Sequence, residues 1–110
     1  MILNETWGLT RMTKVEVVIN GEDVPVVTEL FSKVGAKGFT AVSNVSGLGH
    51  SGLHQGRLLF NERSSLTFLT VVLPAERAGA LLEGLRDLLV GRSGVMLVSD
   101  TWVSRPEYFR

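Results

Sequence analysis

Apolar residues along this chain alternate in some stretches and recur at helical spacing in others. In residues 13–20, TKVEVVIN, Val15, Val17 and Ile19 fall on one face while Val18 points to the other, which predicts a strand. Asn20-Gly21 breaks the run. Glu22 and Asp23 then place acid where a helix N-terminus favours it, and Pro25 fits a first helical turn. Val24, Val27, Leu30, Phe31 and Val34 recur at helical spacing, so a first helix is expected over about 22–36, ended by Gly35 and Gly38. Residues 39–46, FTAVSNVS, are β-branched enough for a second strand. LTFLTVVL, residues 66–73, is the strongest strand signal. Pro74 and Ala75 open a second helix carrying Ala78, Leu81, Leu82, Leu85, Leu88 and Leu89 on one stripe, with Gly91 placed to cap it. Gly84 in that helix suggests close packing. VMLV at 95–98 is the fourth strand, with room to extend to Val103.

The order β-α-β-loop-β-α-β, in two similar halves, predicts an α+β, ferredoxin-like βαββαβ domain. Both helices then cover one face of a four-stranded antiparallel sheet. The other face should turn polar if it meets water, and here it does not. Val18, Leu69, Val71, Leu73, Met96 and Val98 are one candidate set for it. Six such side chains would expose roughly 360–720 Å², against ~300–600 Å² for the largest patch on a typical monomer. A homo-oligomer that buries the sheet face is therefore expected. Cover by the N-terminal segment or the long central loop is the alternative.

Composition narrows the function. The chain has 110 residues, 45% hydrophobic and 20% charged, which is the balance of one globular domain. Eleven basic and eleven acidic residues cancel, so binding to nucleic acid is not expected. Absent cysteine excludes disulfides and thiol chemistry and fits a cytoplasmic protein. No apolar run approaches the ~18–20 residues of a membrane span, so membrane insertion is not expected. Residues 1–12 have no apolar core and are expected to be a flexible extension, residues 106–110 a C-terminal tail.

Chemistry concentrates in loops. GLGHSGLHQG, residues 47–56, holds four glycines and two histidines and opens a segment reaching Ser65. A loop this long inside a small domain is functional or mobile. Gly47, Gly49 and His50 could let backbone N–H groups approach an anion. The spacing is not a dinucleotide fingerprint, and a plain surface loop explains it equally well. Gly91-Arg92-Ser93-Gly94 could form a nest of N–H donors with Arg92 as a charged partner for phosphate, or be a helix cap and turn. Arg105 could pair with phosphate or lie on the surface. His50 and His54 lack a third ligand at diagnostic spacing, so no metal is assigned. No nucleophile–base–acid set is evident, and no catalytic residue is assigned.

Taken jointly, these segments resemble the PII signalling family. Gly38-Phe39-Thr40 is similar to its G-M-T segment entering strand two. Gly47-Leu48-Gly49-His50 is similar to G-F-G-R-Q, which opens the mobile T-loop, here about 48–65. Val90-Gly91-Arg92-Ser93-Gly94 stands where the family has its B-loop, T-G-x-I-G-D-G-K. The resemblance covers about residues 13–105 and implies a homotrimer with adenine nucleotides in clefts between subunits. By position, Gly38, Phe39 and Thr40 would lie near adenine or ribose. Gly47, Gly49 and His50 would approach the phosphates from the T-loop, and Gly91, Arg92, Ser93 and Gly94 from the B-loop. Arg105 falls roughly where the family places a phosphate-binding arginine.

The departures point to a divergent member. Thr40 to Gly47 spans one residue more than the family pattern. His50-Ser51 replaces the Arg-Gln pair, which argues against 2-oxoglutarate sensing. The T-loop lacks tyrosine, which excludes its uridylylation, and Arg92 replaces the lysine charge of the B-loop. The short chain, the GLGHSGLHQG loop and the RPEYF tail resemble the carboxysome-associated PII-like proteins. That subgroup implies ADP or AMP (with ATP as a further nucleotide), bicarbonate, and a link to inorganic carbon uptake or carbon fixation. Its target would be a bicarbonate transporter or a carboxysome component. Ser46, Gly47, Arg57 and Arg105 are the candidate bicarbonate contacts. The competing readings are a small ferredoxin-like oligomeric enzyme of isomerase type and a metal-tolerance or structural trimer.

Overall fold

A computed structural model of the protein describes residues 7–46, 48–49, 52–53 and 65–110. Strand β1 (Thr10–Asn20) leads through a 3-10 turn (Gly21–Asp23) into helix α1 (Val24–Lys33). Strand β2 (Thr40–Val45) follows, then a small hairpin of β3 (Leu48–Gly49) and β4 (Gly52–Leu53). Strand β5 (Leu66–Leu73), helix α2 (Ala75–Leu89) and strand β6 (Gly94–Val103) complete the domain, with a last 3-10 turn at Pro106–Tyr108. The main sheet has the order β2-β5-β1-β6, and every pairing is antiparallel. This is the ferredoxin-like arrangement expected from the sequence.

Helix α1 is shorter at both ends than its apolar spacing suggests. Its entry tightens into a 3-10 turn ahead of Pro25, and its exit is a Schellman cap. Gly35 takes φ +82°, its N–H donates to the Ser32 carbonyl at 3.1 Å, and the Ala36 N–H donates to the Phe31 carbonyl at 3.0 Å. Strand β1 begins at Thr10 rather than Thr13, because β6 runs on to Val103 and pairs with it.

Cross-strand register sorts the side chains into rows. On the helix side, Leu69, Val17 and Met96 form one row, and Val71, Val15 and Val98 the next. Val15, Val17, Ile19, Leu69, Val71 and Leu73 are buried there under Val27, Phe31, Leu81 and Leu85 of the helices. Leu30 of α1 lies over Gly84 of α2, where an added Cβ would come within 2.8 Å of its Cδ1. The helices approach closely at that point because one of them lacks a side chain there.

The opposite face is a correction to the set expected from the sequence. Leu69, Val71, Leu73, Met96 and Val98 belong to the helix side, and only Val18 of that set lies opposite. Alternation along a strand defines two faces but does not say which one carries the helices; the register does. Val42, Phe68, Val18 and Val95 form a continuous apolar row across all four strands of the open face. Val72 and Leu97 lie on the neighbouring rows, among Lys14, Glu16 and Thr70. Val42, Val95 and Leu97 are each about half exposed.

Two substitutions in α2 test this packing by urea denaturation. Leu81→Ala, at a fully buried position, should lower stability by about 2–5 kcal/mol. Gly79→Ala should raise it by about 0.5–1 kcal/mol, since a Cβ there meets nothing within 4 Å.

Candidate functional site

The glycine-bearing segments lie at the edges of the sheet, and the register fixes how far apart. Gly94 pairs with Ile19, which pairs with Thr67, which pairs with Ser43. The end of β2 and the start of β6 therefore share one end of the sheet, at opposite edges. Three strand spacings of ~4.8 Å put them about 14 Å apart within one chain. Ser46 follows β2 at this end and is exposed.

Gly38, Phe39 and Thr40 enter β2 on the outer edge and are exposed. The Phe39 ring packs at a tilt on the buried Phe31, with centroids 5.6 Å apart, and keeps 47% of its surface exposed. A cleft of about 200 Å³ opens beside it, lined by Thr28, Phe31, Ser32, Lys37, Gly38 and Phe39. A Cβ at Gly38 would meet nothing within 4 Å, and the backbone there does not demand glycine. Nothing among the described residues accounts for a glycine at this position. A second cleft, of about 540 Å³, lies near the end of β2 and is lined by Gly21, Val24, Ser43, Asn44, Ser65 and Thr67.

The turn between α2 and β6 is built mainly by capping. Gly91 takes φ +78°, a left-handed conformation that costs other residues strain. Gly94 is confined: an added Cβ would lie 3.0 Å from Ile19 and Leu89 side-chain carbons and 3.1 Å from the Val18 carbonyl oxygen. Ser93 is half-buried between them. Arg92 folds back over the last turn of α2. Its Nη1 donates to the Leu88 carbonyl, and its Nε donates to Asp23 Oδ1 at 3.3 Å. A guanidinium suits a helix C-terminus, where carbonyls are unpaired and the dipole is negative. Asp23 was legible in the sequence only as an N-terminal acid of α1. Its pairing with a residue 69 positions away follows from β1 and β6 being neighbours, which puts the exit of one beside the entry of the other.

Arg105 stands apart from this end. It follows β6, whose last residue Val103 pairs with Thr10, so it lies about 30 Å along the sheet from Gly94. Its Nη1 donates to the Tyr108 hydroxyl at 3.1 Å, and the guanidinium sits 5.7 Å from that ring's centroid. One chain therefore cannot bring Arg105 together with Gly91–Gly94, nor with Ser46. Gly49 lies in β3, paired with Gly52. Gly47, His50, His54 and Arg57 lie outside the described residues. Among the described residues no helix is long and apolar enough to cross a membrane, and no group of three His, Cys, Asp or Glu could hold a metal ion.

The family model for nitrogen regulatory protein P-II matches residues 12–108, nearly the whole of the described fold. The chain belongs to the P-II family. Among solved structures, this P-II chain is similar to CPII of Thiomonas intermedia K12, a nitrogen regulatory PII-like protein bound to ADP, AMP and bicarbonate. The two share 38% identity over 93% of this chain and 96% of CPII, with a TM-score of 0.85. The apo form of CPII gives 34% identity over 86% of this chain and 94% of its own, at 0.70. A putative PII-like signalling protein of Thermus thermophilus, at 21% identity over 93% and 98% and a TM-score of 0.72, shares the fold. None of the curated protein sequences matches this chain.

Strand β2 carries a bulge shortly before it ends. The pairing of β2 with β5 shifts between Ser43 and Val45, and the bulged Asn44 takes φ +60°. A bulge absorbs one residue and turns the strand locally, and asparagine tolerates that conformation better than most residues. The strand thus keeps Thr40 and Ala41 in register with β5 and re-aims the chain as it enters the glycine-rich loop.

These two kinds of glycine separate by stability. Gly91→Ala should cost about 1–2 kcal/mol in a urea melt, and Gly38→Ala should stay within about 0.5 kcal/mol of the parent.

Proposed function

We propose that this P-II protein is a non-enzymatic sensor of adenine nucleotides. It works as a homotrimer in the cytoplasm and binds ADP or AMP, with ATP as a further ligand, in clefts between subunits. The observation that carries the reading is the kinship with CPII, which binds ADP and AMP, combined with the end of β2 and the turn Gly91–Gly94 standing at the two edges of one sheet end. Edges that are separated within a chain meet when copies pack side by side, and the half-exposed apolar row on the open face supports such packing. Among the described residues two buried polar atoms also lack partners, Asn20 Oδ1 at one end of β1 and Trp102 Nε1 at the far end of β6. Each would cost about 1–3 kcal/mol if left so, which favours partners from another chain or a ligand.

In this reading Gly38, Phe39 and Thr40 receive the base and ribose, with the exposed ring of Phe39 as an apolar surface. Gly47, Gly49 and His50 from one side and Gly91, Arg92, Ser93 and Gly94 from the other approach the phosphates. Arg105 comes from a neighbouring subunit, since its own chain holds it about 30 Å from the turn at Gly94. Bicarbonate is the second ligand, as it is of CPII, with Ser46, Gly47, Arg57 and Arg105 as its contacts. The segment 48–65 carries the signal to a target concerned with inorganic carbon uptake or carbon fixation, a bicarbonate transporter or a carboxysome component.

Calorimetry with ADP tests the nucleotide part directly. Wild type should bind with saturable heat. Arg92→Ala should weaken binding by about 1.5–3 kcal/mol, the value of a charge-assisted hydrogen bond. Absence of binding at millimolar ADP would rule the reading out.

A further inference from the structure

We infer that Asp23 sets the nucleotide affinity of this protein by competing, as an internal anion, for Arg92. The inference rests on the reading of Arg92 as a phosphate contact and adds a residue that the family motifs do not contain. Arg92 stands in the glycine turn, yet its guanidinium points back from it. Two of its five N–H donors are engaged, one with the Asp23 carboxylate and one with the Leu88 carbonyl. Asp23 is the more enclosed partner: its side chain is 17% exposed, against 38% for Arg92. Asp23 makes no capping hydrogen bond with its side chain at the start of α1. Arg92 is the partner that the geometry gives it.

A phosphate arriving at the turn must therefore draw the guanidinium off one carboxylate, or share it with that carboxylate's negative charge. Both effects oppose binding, and both end when a neutral residue replaces Asp23. The contact also joins the entry of α1 to the exit of α2. Release of Arg92 by a bound phosphate would thus free the first turn of α1, beside the cleft lined by Gly21, Val24 and Ser65.

The test is ADP calorimetry on wild type, Asp23→Asn, Arg92→Ala and the double variant, with Asp23→Ser as a second neutral replacement and thermal melts to verify folding. An exposed ion pair is worth ~0.2–1 kcal/mol, so Asp23→Asn should bind ADP about 1.4- to fivefold more tightly than wild type. Arg92→Ala should bind at least about tenfold more weakly, and the double variant should match Arg92→Ala, since Asp23 then has nothing to withhold. If ADP binding depends on Arg92 but both Asp23 variants bind no more tightly than wild type, the inference falls and the nucleotide reading stands. An equal gain with and without Arg92 would also overturn it, because Asp23 would then act by general repulsion. Wild type that binds no ADP would overturn the nucleotide reading itself, and this inference with it.

Discussion

Two helices can shield only one side of a four-stranded sheet, and the rest of this structure depends on that. Val15, Val17, Ile19, Leu69, Val71 and Leu73 find their cover in α1 and α2. The row Val42–Phe68–Val18–Val95 finds none in the described chain. A face of this kind is stable in water when something apolar lies on it, and a further copy of the same sheet answers that need. In that packing the sheet edges would become meeting lines between chains.

The glycines divide by what explains them. Gly35 and Gly91 answer to left-handed backbone, and Gly84 and Gly94 to close neighbours. Gly38 answers to neither, although it leads into the edge strand beside the exposed Phe39. Arg92 shows the opposite case. Its position matches a ligand contact, while its hydrogen bonds give it structural duties at a helix end. Under the proposed nucleotide reading Arg92 would hold two occupations in one chain, and affinity could be adjusted there without altering the site's shape.

The fold was largely legible in the sequence because its signals are local. Residues 66–73 read as a strand and form one, and helix α2 follows its leucine stripe. Local periodicity failed where long-range register decides the outcome. It could not assign Leu69 and Val71 to the helix side, nor foresee that β6 would hold Thr10 in the sheet. Asn44 gave no sign that it would form a bulge. The site was legible as segments but not as a place. The resemblance gives Arg105 and Gly91–Gly94 to a cleft between subunits, and within one chain β6 separates them by its own length. Likewise, no spacing rule links Asp23 to Arg92 across 69 positions.

The account stands on neighbouring copies completing both the sheet and the site. The most direct test is the mass of the purified full chain by light scattering coupled to size exclusion, at micromolar protein. The account predicts three times the mass of one chain, and a mass that holds on dilution. A single-chain mass under those conditions would contradict it, because the apolar row would then face water and Arg105 could not reach the turn at Gly94.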